Sequence, residues 1–250
     1  MKNLSVKIIL LGICGLTANI SFASSERFSI ELETGYAWQS RNDVRIPGDS
    51  GTRFALDELT GEGPYPAYRI YFNYPINRHH GLRFLYAPLR IVETGKLENP
   101  VRFADENFAA DVATEGTYQF NSYRITYHYL VHESQDWQWR VGITAKVRDA
   151  EIKLKQGSVT AKDDDVGFVP LLYASGQWQL TERTRALIDM DALGSPQGRA
   201  IDLALKLEHA LTDQWRASVG YRTVEGGADN DDVFTFAWFN FAVASLSYHF

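Results

Sequence analysis

The chain has 250 residues, 25 Lys and Arg against 31 Asp and Glu, 13% aromatic residues and a single cysteine. The acidic balance argues against nucleic acid as a partner, because a phosphate-binding surface needs the opposite sign. A mean hydropathy of −0.26, with no long apolar run after the first residues, excludes a bundle of membrane-spanning helices.

Residues 1–23 read as a secretory signal peptide: Lys2 and Lys7, an apolar run from Ile8 to Leu16, then Ser21-Phe22-Ala23 as a small-x-small cleavage site. The apolar run is far shorter than the ~20 residues that a spanning helix needs. Cleavage after Ala23 removes both lysines and Cys14, leaving 23 basic against 31 acidic residues in 24–250. That remainder is cysteine-free, which excludes thiol catalysis and thiolate metal sites.

Past the leader, a period of two dominates. Phe28, Ile30, Leu32, Thr34, Tyr36 and Trp38 alternate with Ser29, Glu31, Glu33, Gly35, Ala37 and Gln39. Arg41 to Pro64 is polar and Gly-rich and reads as a loop. A second strand, Tyr68 to Ile76, ends at the turn Asn77 to Gly81. The third, Leu82 to Val92, opens into a long loop around Gly95 to Ala113. In the fourth, Tyr123, Ile125, Tyr127, Tyr129 and Val131 alternate with Ser122, Arg124, Thr126, His128 and Leu130. His132 to Asp136 then turns the chain into Trp137 to Arg148. Near Asp149 the apolar residues change phase to Ile152 and Leu154, which predicts a β-bulge. An acidic loop with Asp163, Asp164 and Asp165 precedes a sixth strand, Val166 to Leu180. Arg185 to Leu193, Ile201 to Glu208 and Trp215 to Val224 complete the set before the last stretch.

That stretch, Val233 to Phe250, is aromatic-rich and stops on phenylalanine. In water it would be an adhesive sheet edge; closing a barrel in a membrane removes the edge and turns the aromatics to lipid. The leader, the alternation, and long loops after strands one, three and five set against short turns after two, four, six and eight resemble the small bacterial outer-membrane β-barrels. Tyr248 and Phe250 resemble the terminal signal of that class, with Ser245 where a glycine is usual. The resemblance implies one all-β domain over 24–250, a closed antiparallel up-and-down transmembrane barrel. About ten strands are expected, with eight or twelve as the neighbouring even counts, short periplasmic turns and longer outer loops. It also implies outer-membrane lipid, lipopolysaccharide and the barrel-assembly machinery as partners, with the barrel itself a monomer. A soluble β-sandwich is the alternative, but it would need a second apolar face on every strand.

If the apolar face meets lipid, the polar face lines the interior. It carries Glu31, Glu33, Asp189, Asp191, Asp202 and Glu208 together with Arg69, Arg83, Arg124, Arg140, Lys146, Arg148, Lys206, Arg216 and Arg222. Isolated buried ions are costly, so pairing across strands is expected. A ten-stranded barrel is little wider than its own side chains, which predicts a plugged or very narrow lumen.

Three functions are weighed: a non-catalytic structural or surface-binding protein, a narrow channel, and an outer-surface lipid or peptide hydrolase. The hydrolase needs a base at the outer rim. His79, His80, His128, His132, His209 and His249 all fall toward the periplasmic ends of their strands, so no catalytic residue is assigned. No cofactor or metal is expected either; the acidic clusters Asp163 to Asp165 and Asp229, Asp231 and Asp232 lack the spacing of a calcium loop. Trp38, Trp137, Trp139, Trp178, Trp215 and Trp238 are candidates for interfacial girdles.

Overall fold

The computed structural model describes residues 28–196 and 198–250, so the signal-peptide reading lies outside the described residues. In order these form β1 (Ser29–Arg45), β2 (Phe54–Ala55), α1 (Leu56–Thr60), β3 (Tyr65–Pro75), β4 (His80–Ala87), β5 (Arg90–Lys96), β6 (Val101–Phe103), β7 (Glu106–Phe108), β8 (Ala113–Glu133), β9 (Trp137–Gln156), β10 (Val159–Gln179), β11 (Thr184–Ser195), β12 (Gly198–Ala210), β13 (Trp215–Asp229) and β14 (Phe234–His249). Each long strand pairs antiparallel with its neighbour, and β14 pairs with both β13 and β1, so the sheet is a closed barrel. β4 and β5 share one place in the wall, both against β8, with a break at Pro88-Leu89. The wall therefore has ten positions, and no sandwich is formed.

The alternation does what was expected of it. Ile30, Leu32, Tyr123, Ile125, Tyr127, Val141 and Ile143 face outward and are exposed, while Glu33, Arg124, Thr126, Arg140, Thr144 and Lys146, of opposite parity, are buried inside. Trp137 stacks on Trp139 and Trp178 near the end of the barrel that holds Phe28 and Phe250, called the terminal end below. At that end the Phe250 ring lies 4.8 Å from those of Phe28 and Tyr248, and its amide donates to the Phe28 carbonyl.

Two expectations fail at the opposite end, where the long loops lie. No bulge occurs at Asp149: β9 runs in unbroken register against β8 and β10 through that point. The register shifts fall instead at Gln39/Arg41 and Leu130/His132. Parity holds and chemistry inverts. Below Asp149 the outward residues are apolar and the inward ones polar; above it Asp149, Glu151, Lys153 and Lys155 face outward, while Ile152 and Leu154 are buried inside. Above this level the outer face of β9 is charged and its inner face apolar.

The second failure is the acidic loop, because Asp163, Asp164 and Asp165 lie within β10. The connection after β9 is a tight hairpin over Gly157 and Ser158, so only segments 46–64 and 97–112 are long. Those two segments build an apolar core above the inversion. Leu56 and Leu59 of α1 pack with Ile91, Leu97, Val101, Phe103, Phe108 and Leu154. Gly116 on β8 makes the room, since a Cβ there would meet the side chains of Thr60, Leu59 and Leu56 at 2.9–3.3 Å.

Candidate functional site

Halfway along the barrel, side chains from opposite walls meet in one ionic layer. Asp202 on β12 is its hub: Oδ2 accepts from Arg69 on β3 at 2.8 Å and from Arg124 on β8 at 2.7 Å, and Oδ1 accepts from Arg222 on β13 at 2.5 Å. Three buried guanidiniums around one carboxylate would repel one another, and Glu33 and Asp191 offset this. Glu33 lies against Arg222 at 3.0 Å, Arg69 at 3.8 Å and Lys206. Asp191 accepts from Arg124 at 2.8 Å and from the Thr144 hydroxyl at 2.6 Å. Lys206 also reaches Glu31 at 2.7 Å. Arg83 forks onto Asp189 at 2.5 and 3.2 Å, and the Tyr173 hydroxyl donates to the same carboxylate at 2.9 Å.

Not every charged interior residue joins this layer. Toward the terminal end, Glu208 holds Arg216 at 3.2 Å and Arg185 at 2.7 Å. Arg140 is buried near them and donates to Gln138. Arg148 stands higher, at the loop end, and pairs with Asp165. Lys146 is 4% exposed and has no hydrogen bond or ion pair with the described residues; its ammonium lies 4.6 Å from the centre of the Phe120 ring. Sequence reading missed Tyr71, Tyr173 and Thr144 as members. The alternation places all three on the inner face, but only the fold shows that their hydroxyls reach charged groups.

The layer divides the interior. On the terminal side is a cavity of about 260 Å³ bordered by His128, Arg140, Glu208 and His249. On the loop side is a cup of about 550 Å³. Its walls carry apolar side chains, among them Phe239, Phe241, Leu171, Leu193 and Val224, with Arg148, Asp163, Arg199 and Glu225 between them, and its floor is charged, with Arg69, Arg124, Lys146, Asp191 and Asp202. The apolar walls follow from the same inversion that sets Ile152 and Leu154 inward.

The cup wall is incomplete in two places, each beside a proline, which has no amide to donate to a ladder. At Pro88 the upper part of β3 loses its partner, since β5 pairs only with β8. At Pro170 the ladder between β10 and β11 stops at Leu172–Ala192, and Val159 to Leu171 pair only with β9.

The acidic run does not converge on a common point. Alternation splits it: Asp165 pairs with Arg148, Asp164 with Lys162 at 2.9 Å, and Asp163 borders the cup. Among the described residues no group of three or more metal-ligating side chains comes together.

No protein-family model matches the sequence, and comparison with curated proteins gives no match. Among solved structures the chain is similar to the outer membrane protease OmpT from Escherichia coli, with a TM-score of 0.55 at 8% identity over 91% of this chain and 98% of that one. It also matches the translocator domain of autotransporter NalP from Neisseria meningitidis, TM-score 0.45 at 8% identity over 90% and 88%. A third match is Ail, the attachment invasion locus protein of Yersinia pestis, TM-score 0.39 at 10% identity over 89% and 99%. The likeness to OmpT is one of fold: the chain has the architecture of a bacterial outer-membrane β-barrel.

Proposed function

We propose that this protein is a monomeric outer-membrane barrel, closed to passage along its axis, that offers its loop-end cup as a binding surface and catalyses no reaction. One observation carries the reading: Asp202 on β12 holds guanidiniums from β3 and β8 across the lumen, so charged side chains cross the bore and leave a separate cavity on each side. Opening a path would require separating buried ion pairs, and breaking such a pair costs about 3–5 kcal/mol.

A hydrolytic role finds no support at the rim. The histidines stand at or near the terminal end, and two of the loop-end acids, Asp43 and Glu225, are each tied to an arginine. In this reading the terminal end faces the periplasm. Tyr248 and Phe250, on the strand that closes the barrel, serve the assembly machinery, and the apolar outer face meets membrane lipid and lipopolysaccharide.

The test is planar-bilayer recording with purified protein. A closed barrel gives no steady single-channel steps in the wild type, whereas replacing Asp202 and Glu33 together by alanine introduces leak. Stable unitary conductance in the wild type would overturn the reading.

A further inference from the structure

We propose that the cup takes up a single-chain carboxylic acid from the surrounding lipid, its carboxylate on the Lys146 ammonium and its chain directed toward the gap between β10 and β11. The proposal rests on the closed-barrel reading above and names the ligand class of that same cup.

The charge inventory points first to an anion. In and beside the ionic layer Arg69, Arg83, Arg124, Lys146, Lys206 and Arg222 face five carboxylates, those of Glu31, Glu33, Asp189, Asp191 and Asp202. Every one of these cations except Lys146 is within 4.0 Å of a carboxylate. A buried ammonium without a counter-charge is unfavourable, and a ligand carboxylate would satisfy it through a charge-assisted hydrogen bond. One unmatched cation suits a monoanion better than a phosphate dianion, since the guanidiniums nearby, Arg124 and Arg148, are already paired.

The walls point to a chain. Apolar side chains, Leu171, Leu193, Phe239 and Phe241 among them, line much of the space above Lys146, and about 550 Å³ is within the range of roughly 300–1,000 Å³ typical of small-molecule sites. That holds one chain more readily than a whole diacyl lipid.

The gap points to lipid as the source. Lys146 pairs across the ladder with Val169, next to Pro170, so the ammonium stands beside the place where β10 loses β11. Outward on that part of β10 are Val166, Phe168 and Leu172, 71%, 67% and 62% exposed, so the gap opens where the outer face is still apolar. The other gap, at Pro88, differs: its β5 edge carries exposed Arg90 and Thr94, and α1 packs on β5.

The experiment measures binding of cis-parinaric acid, a fluorescent fatty acid, to the full mature protein in phosphatidylcholine nanodiscs at about pH 6.5, where carboxylic acids ionise. The parinaryl alcohol is the uncharged control, and empty nanodiscs give the partition background. Lys146→Met is expected to weaken acid binding about tenfold or more, the equivalent of one charged hydrogen bond, while Lys146→Arg retains most of it. Val169→Trp, which narrows the cup without altering its charge, is expected to weaken acid and alcohol alike. Acid binding unchanged in Lys146→Met, or alcohol bound by the wild type as tightly as acid, overturns the proposal. Bilayer recording on the same preparation separates the two levels. Channel steps defeat the closed-barrel reading and this proposal with it, whereas silent bilayers with charge-independent binding defeat this proposal alone.

Discussion

Replacing Asp202 by asparagine removes one charge and almost no volume, so it isolates what the hub carboxylate does electrostatically. It bonds three guanidiniums at 2.5–2.8 Å. A unit-charge pair about 4 Å apart is worth about 4 kcal/mol at the effective dielectric that suits protein sites, so the gross loss is on the order of 12 kcal/mol. Much of that is returned. The carboxylate's own desolvation cost disappears, Arg222 and Arg69 keep Glu33, and Arg124 keeps Asp191. What remains is the cost of stranding part of the buried positive charge, typically about 3–5 kcal/mol. The assay is reversible urea unfolding of protein inserted in lipid vesicles, followed by tryptophan fluorescence, with electrophoretic mobility before and after heating as the check on folding. A loss below about 1 kcal/mol, the range of exposed pairs, would refute the view that this layer is a desolvated tie across the lumen.

The converse holds at Lys146. Lys146→Met takes away a buried charge with no counter-ion, so unfolding in the same assay is expected to be unchanged or harder, and a loss of several kcal/mol would mean that the ammonium has a stabilising partner. On the lipid face, Ile143→Arg places a cation near the middle of the outward apolar run of β9 and is expected to cost about 2–4 kcal/mol and reduce insertion into vesicles. Lys155→Ala, on the same face above the inversion, is expected to insert like the wild type; equal effects would contradict a lipid boundary at the inversion. In the loop core, burial pushes the Asp57 carboxyl above its ordinary range while Asn42 donates its amide to it at 3.0 Å. The folded loop then holds this proton more tightly than the unfolded one, so packing of 46–64 weakens as pH rises from the ordinary carboxylate range through the raised value. The effect is small because the group is half-exposed. Asp57→Asn keeps an acceptor for the Asn42 backbone amide and is expected to gain stability over the wild type as pH rises above the ordinary carboxylate range; a difference constant with pH refutes the assignment.

The wall was legible because a strand buried on one face and lipid-exposed on the other must alternate, and Tyr123, Ile125, Tyr127 and Tyr129 do so without interruption. The top of the barrel was misread for a reason that belongs to the same rule. Ile152 and Leu154 look like a slipped register if the outer face is assumed to stay apolar; they keep register, and it is the chemistry of the outer face that changes. The acidic run in β10 read as a loop by the same assumption, although a strand beyond the apolar belt can carry Asp164 outward and Asp163 and Asp165 toward the cup. Pro170 carried a usable signal, since a proline inside a long strand marks a place where the ladder is broken on one side. The unmatched Lys146 carried none. Which cations find carboxylates across the lumen depends on contacts between β3, β8 and β12, far apart in the chain.

The place of the ionic layer relative to the gap at Pro170 has a mechanical consequence. Where β10 and β11 part, the barrel lacks the backbone hydrogen bonds that elsewhere hold neighbouring strands together, and an open ladder tends to unzip further. Asp191 sits one pair below the last rung, opposite Tyr173. Its bonds to Arg124 and Thr144 tie β11 to β8 across the lumen and to β9 beyond the gap. Arg83 on β4 adds a second tie through Asp189. The strand that has lost its neighbour on one side is thus held from the opposite wall, immediately below the point of separation. An apolar interior could fill the same space, but dispersion contacts are not directional and would not bind one strand to a chosen partner. Directed ion pairs do, and this explains how the wall can stay open above Leu172 while the barrel stays closed below it.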